Sequence, residues 1–409
     1  GSAKLDMNAL QFGRLIHSIY SRNGKLPDLD WIQSQGLFAV KLAQIHALRI
    51  DFLEREKCEH LAKLYRQAKE VSSADFFKIL RKSAPADFEE QFTSIEQNPL
   101  ATASVGQVHR GELKSGETVV IKAIKEEVTE RFKADVSGIK RLIRFSTWVY
   151  PKLKKAGDPM GIIEDIERFT LSELDLRREV QGQQTLRKIH AEASQHFDLS
   201  SLVFPHVHDA LCHKNLMVSE FIEGPTFDEL LSEGKLDYDQ LLDLFRIQGY
   251  YMFCRGVFHG DLHPGNVILS NGQFVFIDTG FIAEVGRKMR VGLFNFFSGL
   301  SKNDYGACAK SLNSMSEVEI QGEQFRKFTK AFEDLYESFT GATVSQISLT
   351  QQMMKTIKLG IHSGMTFERG IFSIIRSLMY LDGMVLRCNP NAILLNDMGQ
   401  FIGEFKKHL

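Results

Sequence analysis

The chain has 409 residues, of which 43% are hydrophobic and 25% are charged, and its formal net charge is −1. This composition is typical of a globular protein with enough apolar residues for more than one core. Because positive and negative charges balance, the composition argues against a nucleic-acid partner.

Cysteine usage and hydropathy indicate the cellular setting. The five cysteines are scattered and never form a Cys-x-x-Cys pair, which argues against a disulfide framework or zinc site and favours a reducing compartment. No apolar run approaches the roughly 18 residues that span a bilayer. Gly1-Ser2 is typical of a cloning scar, so a natural targeting or membrane segment can lie outside this sequence. We therefore expect a reducing compartment such as the cytoplasm.

The first half of the chain alternates between helical and strand patterns. Apolar residues recur at helical spacing from about residue 6 to 92. The pattern changes near Asn98-Pro99, and residues 100–124 are predicted to form strand, turn and strand. Residues 126–196 return to long, charged helical sequence.

Short strands interrupt the helical pattern further along. A strand pair is predicted around residues 201–207 and 216–221, followed by more helix. Two more strands, at 267–269 and 274–277, flank Asn271-Gly272. An Asn-Gly dipeptide between two apolar runs is a strong hairpin signal.

From residue 287 to 409 the pattern is helical again. The order of elements predicts an α+β protein and does not fit a regular βαβ sheet. We expect three parts: a helical N-terminal extension at 1–97, a strand-containing lobe with inserted helices at 98–223, and a helical lobe at 224–409.

The segment His259-Gly260-Asp261 to Asn266, followed beyond the hairpin by Asp278, carries the strongest chemical signal. In phosphotransferases a carboxylate positions the acceptor hydroxyl while Mg²⁺ ions bridge the nucleotide phosphates. Asp261 would be that carboxylate, and Asn266 and Asp278 would be oxygen ligands of Mg²⁺. Two ordinary polar turns are the alternative, but their spacing across a hairpin favours a Mg²⁺ and ATP site.

The two histidines of this segment have a structural interpretation. We expect His259 to fix the loop through a backbone contact. A histidine that stabilises a tight Pro-Gly turn is more common than one that lines a site, so we expect the same role for His263.

Two patterns in the strand region are weak on their own. Lys122 follows the β-branched run 118–121 and is similar to the strand lysine that binds phosphates in kinases. Ala101-Thr102-Ala103-Ser104-Val105-Gly106 occupies the position of a Gly-x-Gly-x-x-Gly loop but keeps only the third glycine. Because alanine rarely adopts φ > 0, the backbone should approach phosphates differently.

Two groups of polar residues on predicted helices are equally unspecific. Glu173, Asp175 and Glu179 are predicted on one helix, with Asp175 and Glu179 on one face and Glu173 rotated away. Lys41 and Gln44 are three residues apart on another helix, among apolar neighbours. A solvated, ion-paired helix surface would give the same patterns.

Together these segments resemble the UbiB (AarF-type) family of atypical kinases over about residues 36–394. Lys41-Leu42-Ala43-Gln44 corresponds to the family's K-x-G-Q motif, the segment 101–108 to its alanine-rich loop, and Glu173-Leu174-Asp175 to its E-x-D motif. Glu179 matches the helix glutamate that pairs with Lys122.

Two segments near the C-terminus also resemble the closing helices of the family. They are Leu381-Asp382-Gly383 and Asn389-Pro390. The motifs occur in the family's order, and this makes the resemblance specific where each motif alone is not.

The resemblance implies a two-lobed protein-kinase-like fold whose N-terminal extension lies over the active-site cleft. It implies ATP and Mg²⁺ as cofactors, catalytic roles for Asp261, Lys122 and Glu179, and metal binding by Asn266 and Asp278. Regulatory roles fall to Lys41, Gln44, Glu173 and Asp175. The candidate cofactor-binding residues are Ala101, Ala103, Ser104, Val105, Gly106, Lys122, Glu220 and Ile222.

The resemblance also implies partners. They are a nucleotide, a quinone precursor or isoprenoid lipid, and a membrane surface, with a role in ubiquinone or isoprenoid-lipid metabolism. The alanine-rich loop and the extension argue against protein kinase activity. Ala43 replaces the glycine of K-x-G-Q, and Thr279 replaces the phenylalanine of a kinase D-F-G motif.

Two other functions are compatible with parts of the pattern. Aminoglycoside and choline kinases also carry H-G-D-x-x-x-x-N followed by an aspartate, but the E-x-D segment and the extension argue against such a small-molecule phosphotransferase. A pseudokinase-like, nucleotide-dependent scaffold is the other alternative. The presence of all the catalytic residue types argues against it.

Overall fold

The computed structural model describes residues 7–47, 53–65, 73–102, 105–152 and 159–409. The chain forms two compact units. The first unit consists of Gly1–Gln181 and Pro205–Phe221, and the second of Gly182–Phe204 and Ile222–Leu409. The predicted three-part division at residues 97 and 223 stays a prediction.

The N-terminal part of the first unit is helical, as predicted. Its helices are α1 (Ala9–Tyr20), α2 (Leu29–Gln35), α3 (Leu37–His46), α4 (Arg55–Ala62) and α5 (Ser73–Ser83). The start of α1 is a capping box, in which Asn8 and Gln11 each accept the other's backbone N–H. Asp28 caps α2 by accepting from the amide of Trp31 at 3.0 Å, without the reciprocal bond of a capping box.

An antiparallel sheet follows, with strand order β1-β3-β4-β6 and β2 paired to β3. Its strands are β1 (Phe92–Ile95), β2 (Ala101–Thr102), β3 (Gly106–Leu113), β4 (Thr118–Ile124) and β6 (Leu216–Glu220). The predicted strand-turn-strand is confirmed as β3 and β4, and Gly116 turns the chain with φ +88°. The sheet starts earlier than predicted, because β1 pairs with the far end of β3.

Three longer helices complete this part of the chain: α6 (Glu126–Val149), α7 (Pro159–Glu173) and α8 (Leu176–Ala193). One face of α6 is buried through residues such as Phe132, Val136 and Ile139. Phe38 of α3 packs against Phe132, with ring centroids 6.4 Å apart. The N-terminal helices therefore share a hydrophobic core with α6 and α7.

The prediction of one helix through Glu173, Asp175 and Glu179 is wrong. Helix α7 ends at Glu173, and α8 begins at Leu176. Leu174 and Leu176 are each only 1% exposed. Residues two apart face different sides of a continuous helix, so the break allows both leucines to enter the core.

A smaller sheet in the second unit has the order β5-β9-β8. Its strands are β5 (Leu202–Val203), β8 (Val267–Ser270) and β9 (Gln273–Phe276). The strands predicted at 201–207 and 216–221 are present as β5 and β6, but their predicted pairing with each other is wrong, since β5 pairs in parallel with β9. Of that pairing only an isolated bridge between Val207 and Ser219 is present.

The predicted hairpin at Asn271-Gly272 is confirmed. Strands β8 and β9 pair from Val267↔Phe276 to Ser270↔Gln273. Asn271 and Gly272 have φ values of 50° and 74°. Two consecutive residues with positive φ define the turn whose twist matches that of the flanking strands.

The rest of the second unit is helical, as predicted, apart from a pair of short strands. Its helices are α9 (Phe227–Ser232), α10 (Tyr238–Gly249), α11 (Arg287–Ser301), α12 (Tyr305–Met315), α13 (Gly322–Tyr336), α14 (Leu349–His362), α15 (Gly370–Cys388) and α16 (Leu394–Lys406). A π-helical turn at Tyr250–Arg255 leads into β7 (Val257–His259), which pairs with β10 (Ile282–Glu284). The α+β class and the helical N-terminal region are thus confirmed.

Among the helices of the described residues, none combines the length and the apolar character that crossing a bilayer requires.

Candidate functional site

The loop after β7 is fixed by His259. Its imidazole is completely buried; Nε2 lies 2.8 Å from the carbonyl oxygen of Ile277, and Nδ1 accepts the amide of Asp261 at 3.1 Å. Since a carbonyl oxygen only accepts, Nε2 carries the proton. Burial lowers the pKa of His259, so the ring is neutral at neutral pH. The predicted structural role of His259 is confirmed.

His263 stabilises the turn that follows. Its Nδ1 accepts the amide of Gly265 at 3.1 Å, at the start of a short 3₁₀ turn over Pro264–Asn266. The carbonyl oxygen of His263 accepts the amide of Asn266 at 2.9 Å. The prediction that His263 structures the Pro-Gly turn is therefore confirmed.

The side chain of Asn266 is buried and held in one orientation. Its Nδ2 donates to the carbonyl oxygen of Asp261 at 2.8 Å. The amide oxygen accepts no hydrogen bond within the described part of the chain. Asn266 thus keeps a neutral oxygen available as a metal ligand.

Asp278 has an unusual backbone conformation, with φ 52°. Non-glycine residues rarely occupy this left-handed region, and strained residues cluster at functional sites. Hydrogen bonds on both sides hold the segment: the amide of Ile277 donates to the carbonyl of Asn266 at 3.0 Å, and the amide of Gly260 donates to that of Phe281 at 2.9 Å. Together with the His259 contact, they connect the loop of Asp261 and Asn266 to the loop of Asp278.

Sequence analysis missed Tyr380, a buried residue of α15. Its hydroxyl group donates to Oδ1 of Asp261 at 2.6 Å, across 119 residues of sequence. Its ring also contacts that of His263 edge-on, with centroids 5.8 Å apart. No local pattern marks this residue, although Leu381-Asp382-Gly383, which resembles a segment of the family, follows it directly.

Asp382 has a structural role. Its Oδ2 accepts the hydroxyl group of Ser348 at 2.7 Å and the amide of Thr350 at 3.3 Å, at the start of α14. Burial raises the pKa of its carboxyl group. This part of the resemblance therefore corresponds to a contact between α14 and α15.

Lys122 and Glu179 form a buried ion pair in the first unit. Nζ of Lys122 on β4 lies 2.9 Å from Oε2 of Glu179, and the two side chains are 10% and 12% exposed. Glu179 lies in the first turn of α8. Lys122, the predicted phosphate-binding residue, and Glu179, the glutamate predicted to pair with it, are thus in direct contact.

Each acidic residue of the E-x-D segment has a different cationic partner. Glu173 at the end of α7 binds Lys41 of α3, with 2.6 Å between Oε2 and Nζ. Asp175, in the break between α7 and α8, binds the guanidinium of Arg177 through both oxygens, at 2.9 and 2.8 Å. These hydrogen bonds from Arg177 lower the pKa of Asp175.

Gln44 is buried one helical turn after Lys41. Its Nε2 donates to the carbonyl oxygen of Leu64 at 3.3 Å. The K-x-G-Q-type segment thus combines an ion pair to α7 with a hydrogen bond within the N-terminal helices.

The structure describes part of the alanine-rich loop. Ala101 and Thr102 pair with Val108 and Gln107 of β3, whereas Ala103 and Ser104 lie outside the described residues. Val105 is buried. A Cβ atom at Gly106 would collide with the carbonyl oxygen of Ala123 on β4, so strand packing requires glycine there.

The other predicted cofactor residues are at the end of β6. The carboxylate of Glu220 accepts the amide of His206 at 3.0 Å, and its own amide donates to the carbonyl of His206 at 2.7 Å. Ile222 follows in an irregular segment and is half-buried. A role of either residue in cofactor binding stays a prediction.

Comparisons with known proteins agree with the sequence and the fold. The family of ABC1 atypical kinase-like domains matches residues 63–312, more than half of the chain. A "Probable protein kinase UbiB" of Histophilus somni is 27% identical over 387 residues, which cover 91% of this chain and 69% of that protein. An "Uncharacterized protein in hydrogenase 1 5'region" of Clostridium pasteurianum is 21% identical over 404 residues, covering 97% and 74%.

A solved structure gives the same answer for the fold. The Mycobacterium tuberculosis protein Rv3197, determined in complex with erythromycin, has a TM-score of 0.52 and 18% identity, and the match covers 89% of this chain and 95% of that one. The fold and the loops of Asp261 and Asp278 define a kinase-like protein. The chain belongs to the ABC1 atypical kinase-like family, and the predicted resemblance to UbiB proteins is confirmed.

Gly182 of α8 touches the segment that carries Asp278. A Cβ atom there would overlap the carbonyl oxygen of Thr279. We expect Gly182→Ala to lower the free energy of unfolding by about 1–3 kcal/mol, because the backbone next to Asp278 must shift. Urea denaturation measures this.

Gly138→Ala is the matched control for this substitution. Gly138 lies within helix α6, and a Cβ atom there would have nothing within 4 Å. Helix propensity alone should make this variant up to about 1 kcal/mol more stable. If both variants were equally stable, the close approach of Gly182 to Thr279 would be wrong.

Proposed function

We propose that this protein is an atypical kinase or ATPase that binds Mg²⁺-ATP and acts in ubiquinone or isoprenoid-lipid metabolism. The observation that carries the proposal is the pair of loops in the second unit that present Asp261, Asn266 and Asp278. Hydrogen bonds through His259, Gly260 and Ile277 connect the two loops.

The oxygen ligands of Asn266 and Asp278 fit magnesium. Mg²⁺ prefers oxygen ligands and is commonly bound by one or two carboxylates, with phosphates and water completing the shell. No group of three or more His, Cys, Asp and Glu residues that could hold a metal occurs in the described ranges. A site of one carboxylate and one amide oxygen would therefore need the nucleotide phosphates as further ligands. Mg²⁺ would supply positive charge to the transferred phosphoryl group.

The ion pair of Lys122 and Glu179 supports nucleotide binding. In protein kinases, the lysine on the corresponding strand binds phosphate and is held by a helix glutamate. We assign the phosphate contact to Lys122 and its orientation to Glu179. The alanine-rich loop, Glu220 and Ile222 are assigned to the nucleotide on the basis of the family resemblance.

Asp261 would orient the acceptor, which is either a hydroxyl group or water. Its carboxylate oxygen Oδ1 accepts a hydrogen bond from the hydroxyl group of Tyr380 at 2.6 Å. The backbone amide of Asp261 donates to the imidazole of His259. We therefore propose that Tyr380 positions the carboxylate of Asp261.

We favour ATPase-type chemistry over protein phosphorylation. The interactions that support this are those of the K-x-G-Q-type and E-x-D segments, in which Lys41 binds Glu173 and Gln44 binds the carbonyl of Leu64. With Asp175, these residues would restrict access of protein substrates. The resemblance to the UbiB family supports a quinone precursor or isoprenoid lipid as partner, together with peripheral membrane association, and the scattered cysteines support a reducing compartment.

The metal assignment predicts a loss of ligand stabilisation in Asp278→Asn. Asparagine tolerates the positive φ of Asp278, so the variant should fold while losing the charged ligand. For the wild-type chain, Mg²⁺-ATP at about a hundredfold its Kd should stabilise by about 2.7 kcal/mol, seen as a higher Tm. We expect this shift to disappear in Asp278→Asn.

Asp334→Asn on α13 removes the same charge from an exposed position and should keep the full shift in Tm. An undiminished shift in Asp278→Asn would refute the metal assignment.

The position of Tyr380 predicts a defect in turnover without a defect in binding. Tyr380→Phe removes one hydrogen bond to a carboxylate, so we expect ATP turnover to fall about tenfold, equivalent to about 1.4 kcal/mol. The Mg²⁺-ATP-dependent shift in Tm should be unchanged.

Tyr336→Phe is the control, because it removes a buried hydrogen bond of 2.7 Å to Thr356. If Tyr336→Phe slowed turnover as much as Tyr380→Phe, the positioning role would be wrong.

The lipid role predicts that phenolic mimics of quinone precursors stimulate ATP turnover several-fold. A non-phenolic aromatic compound of similar size is the control for apolar binding alone. Asp261→Asn should abolish both basal and stimulated turnover, which distinguishes this enzyme from a contaminating ATPase. If the phenolic compounds left the rate of ATP turnover unchanged, quinone precursors would be rejected as partners.

A further inference from the structure

The C-terminal end of α6 exposes aromatic residues on the side opposite its core. The buried face of the helix is formed by residues such as Val136, Ile139 and Ile143. Phe145 and Trp148, by contrast, are 62% and 77% exposed. Isolated exposed apolar residues are common, but two neighbouring aromatics on one helix face form a patch.

The patch continues beyond the helix. Val149 is 43% and Tyr150 67% exposed. The rings of Phe145 and Trp148 lie side by side, with centroids 6.2 Å apart. Because these side chains are adjacent, the apolar surface is contiguous.

Cationic residues accompany the aromatics. Arg141 and Arg144 are exposed and, at spacings of three and four residues, lie on the same helix face as Phe145 and Trp148. Neither arginine forms an ion pair within the described residues, and Lys152 is also exposed.

Two acidic residues of α7 have other cationic partners. Glu167 pairs with Lys140, and Asp165 with Arg168 of its own helix.

We propose that this surface, formed by Arg141, Arg144, Phe145, Trp148 and Tyr150 and here called the α6 tip, docks on an anionic lipid membrane. Tryptophan and tyrosine favour the membrane–water interface, and arginine favours anionic headgroups. The proposal deepens the peripheral membrane association proposed above and rests on it.

Charge favours a membrane over a second copy of the chain. A two-fold symmetric dimer brings the same patch of both subunits together. At the α6 tip, this would place Arg141 and Arg144 of both copies next to each other, with no carboxylate in the patch. An anionic lipid surface complements both the charge and the aromatic character.

The test is co-sedimentation of the full chain with vesicles of phosphatidylcholine, with or without phosphatidylglycerol. We expect binding only when phosphatidylglycerol is present, and weaker binding at high salt. The double variant Phe145→Ser/Trp148→Ser and the double variant Arg141→Gln/Arg144→Gln should each bind at least about tenfold more weakly. Because these side chains are exposed, the Tm should not change.

Leu10→Ser is the matched control, because Leu10 on α1 is 83% exposed. It should bind vesicles like the wild-type chain. If both double variants bound vesicles as tightly as the wild-type chain, the α6 tip would not be the docking surface, although the protein would still bind membranes.

Two other results would also overturn the proposal. Absence of wild-type binding would reject membrane association itself, while the Tm experiment with Asp278→Asn would still decide the nucleotide function. Dissociation of a wild-type dimer by Phe145→Ser/Trp148→Ser, with vesicle binding unchanged, would show that the patch contacts a second copy.

Discussion

The loops that carry Asp261 and Asp278 depend on two hydrogen bonds made by the buried imidazole of His259. Its Nε2 donates to the carbonyl of Ile277, directly before Asp278, and its Nδ1 accepts the amide of Asp261. Only a neutral ring can donate from one nitrogen and accept at the other, and burial keeps the ring neutral by lowering its pKa. One side chain therefore fixes the backbone beside both candidate functional aspartates.

Sequence analysis succeeded where the structure is determined locally. The Asn271-Gly272 turn has the positive φ values that its residue types favour, and the adjacent strands pair as predicted. The roles of His259 and His263 were also predictable, because both contact backbone atoms within or near their own motif. The spacing of such a motif contains the information that sets its geometry.

The features that sequence analysis did not predict depend on contacts between distant parts of the chain. Tyr380 meets Asp261 across 119 residues, and no spacing rule connects them. The break between α7 and α8 depends on Leu174 and Leu176 entering the core together, which the acidic pattern around them conceals. The charges at Glu173 and Glu179 suggested a solvated helix face, yet each carboxylate is largely buried with its own lysine.

The burial of the ion pair of Lys122 and Glu179 indicates a role other than stabilising the fold. Removing both Lys122 and Glu179 from water costs desolvation energy, which their attraction often fails to recover, so an apolar pair of similar volume would stabilise the fold at least as well. Stability alone therefore does not explain a lysine that is only 10% exposed on β4. A requirement for positive charge at that position does explain it, and phosphate binding is the function in the proposed reaction that needs such a charge.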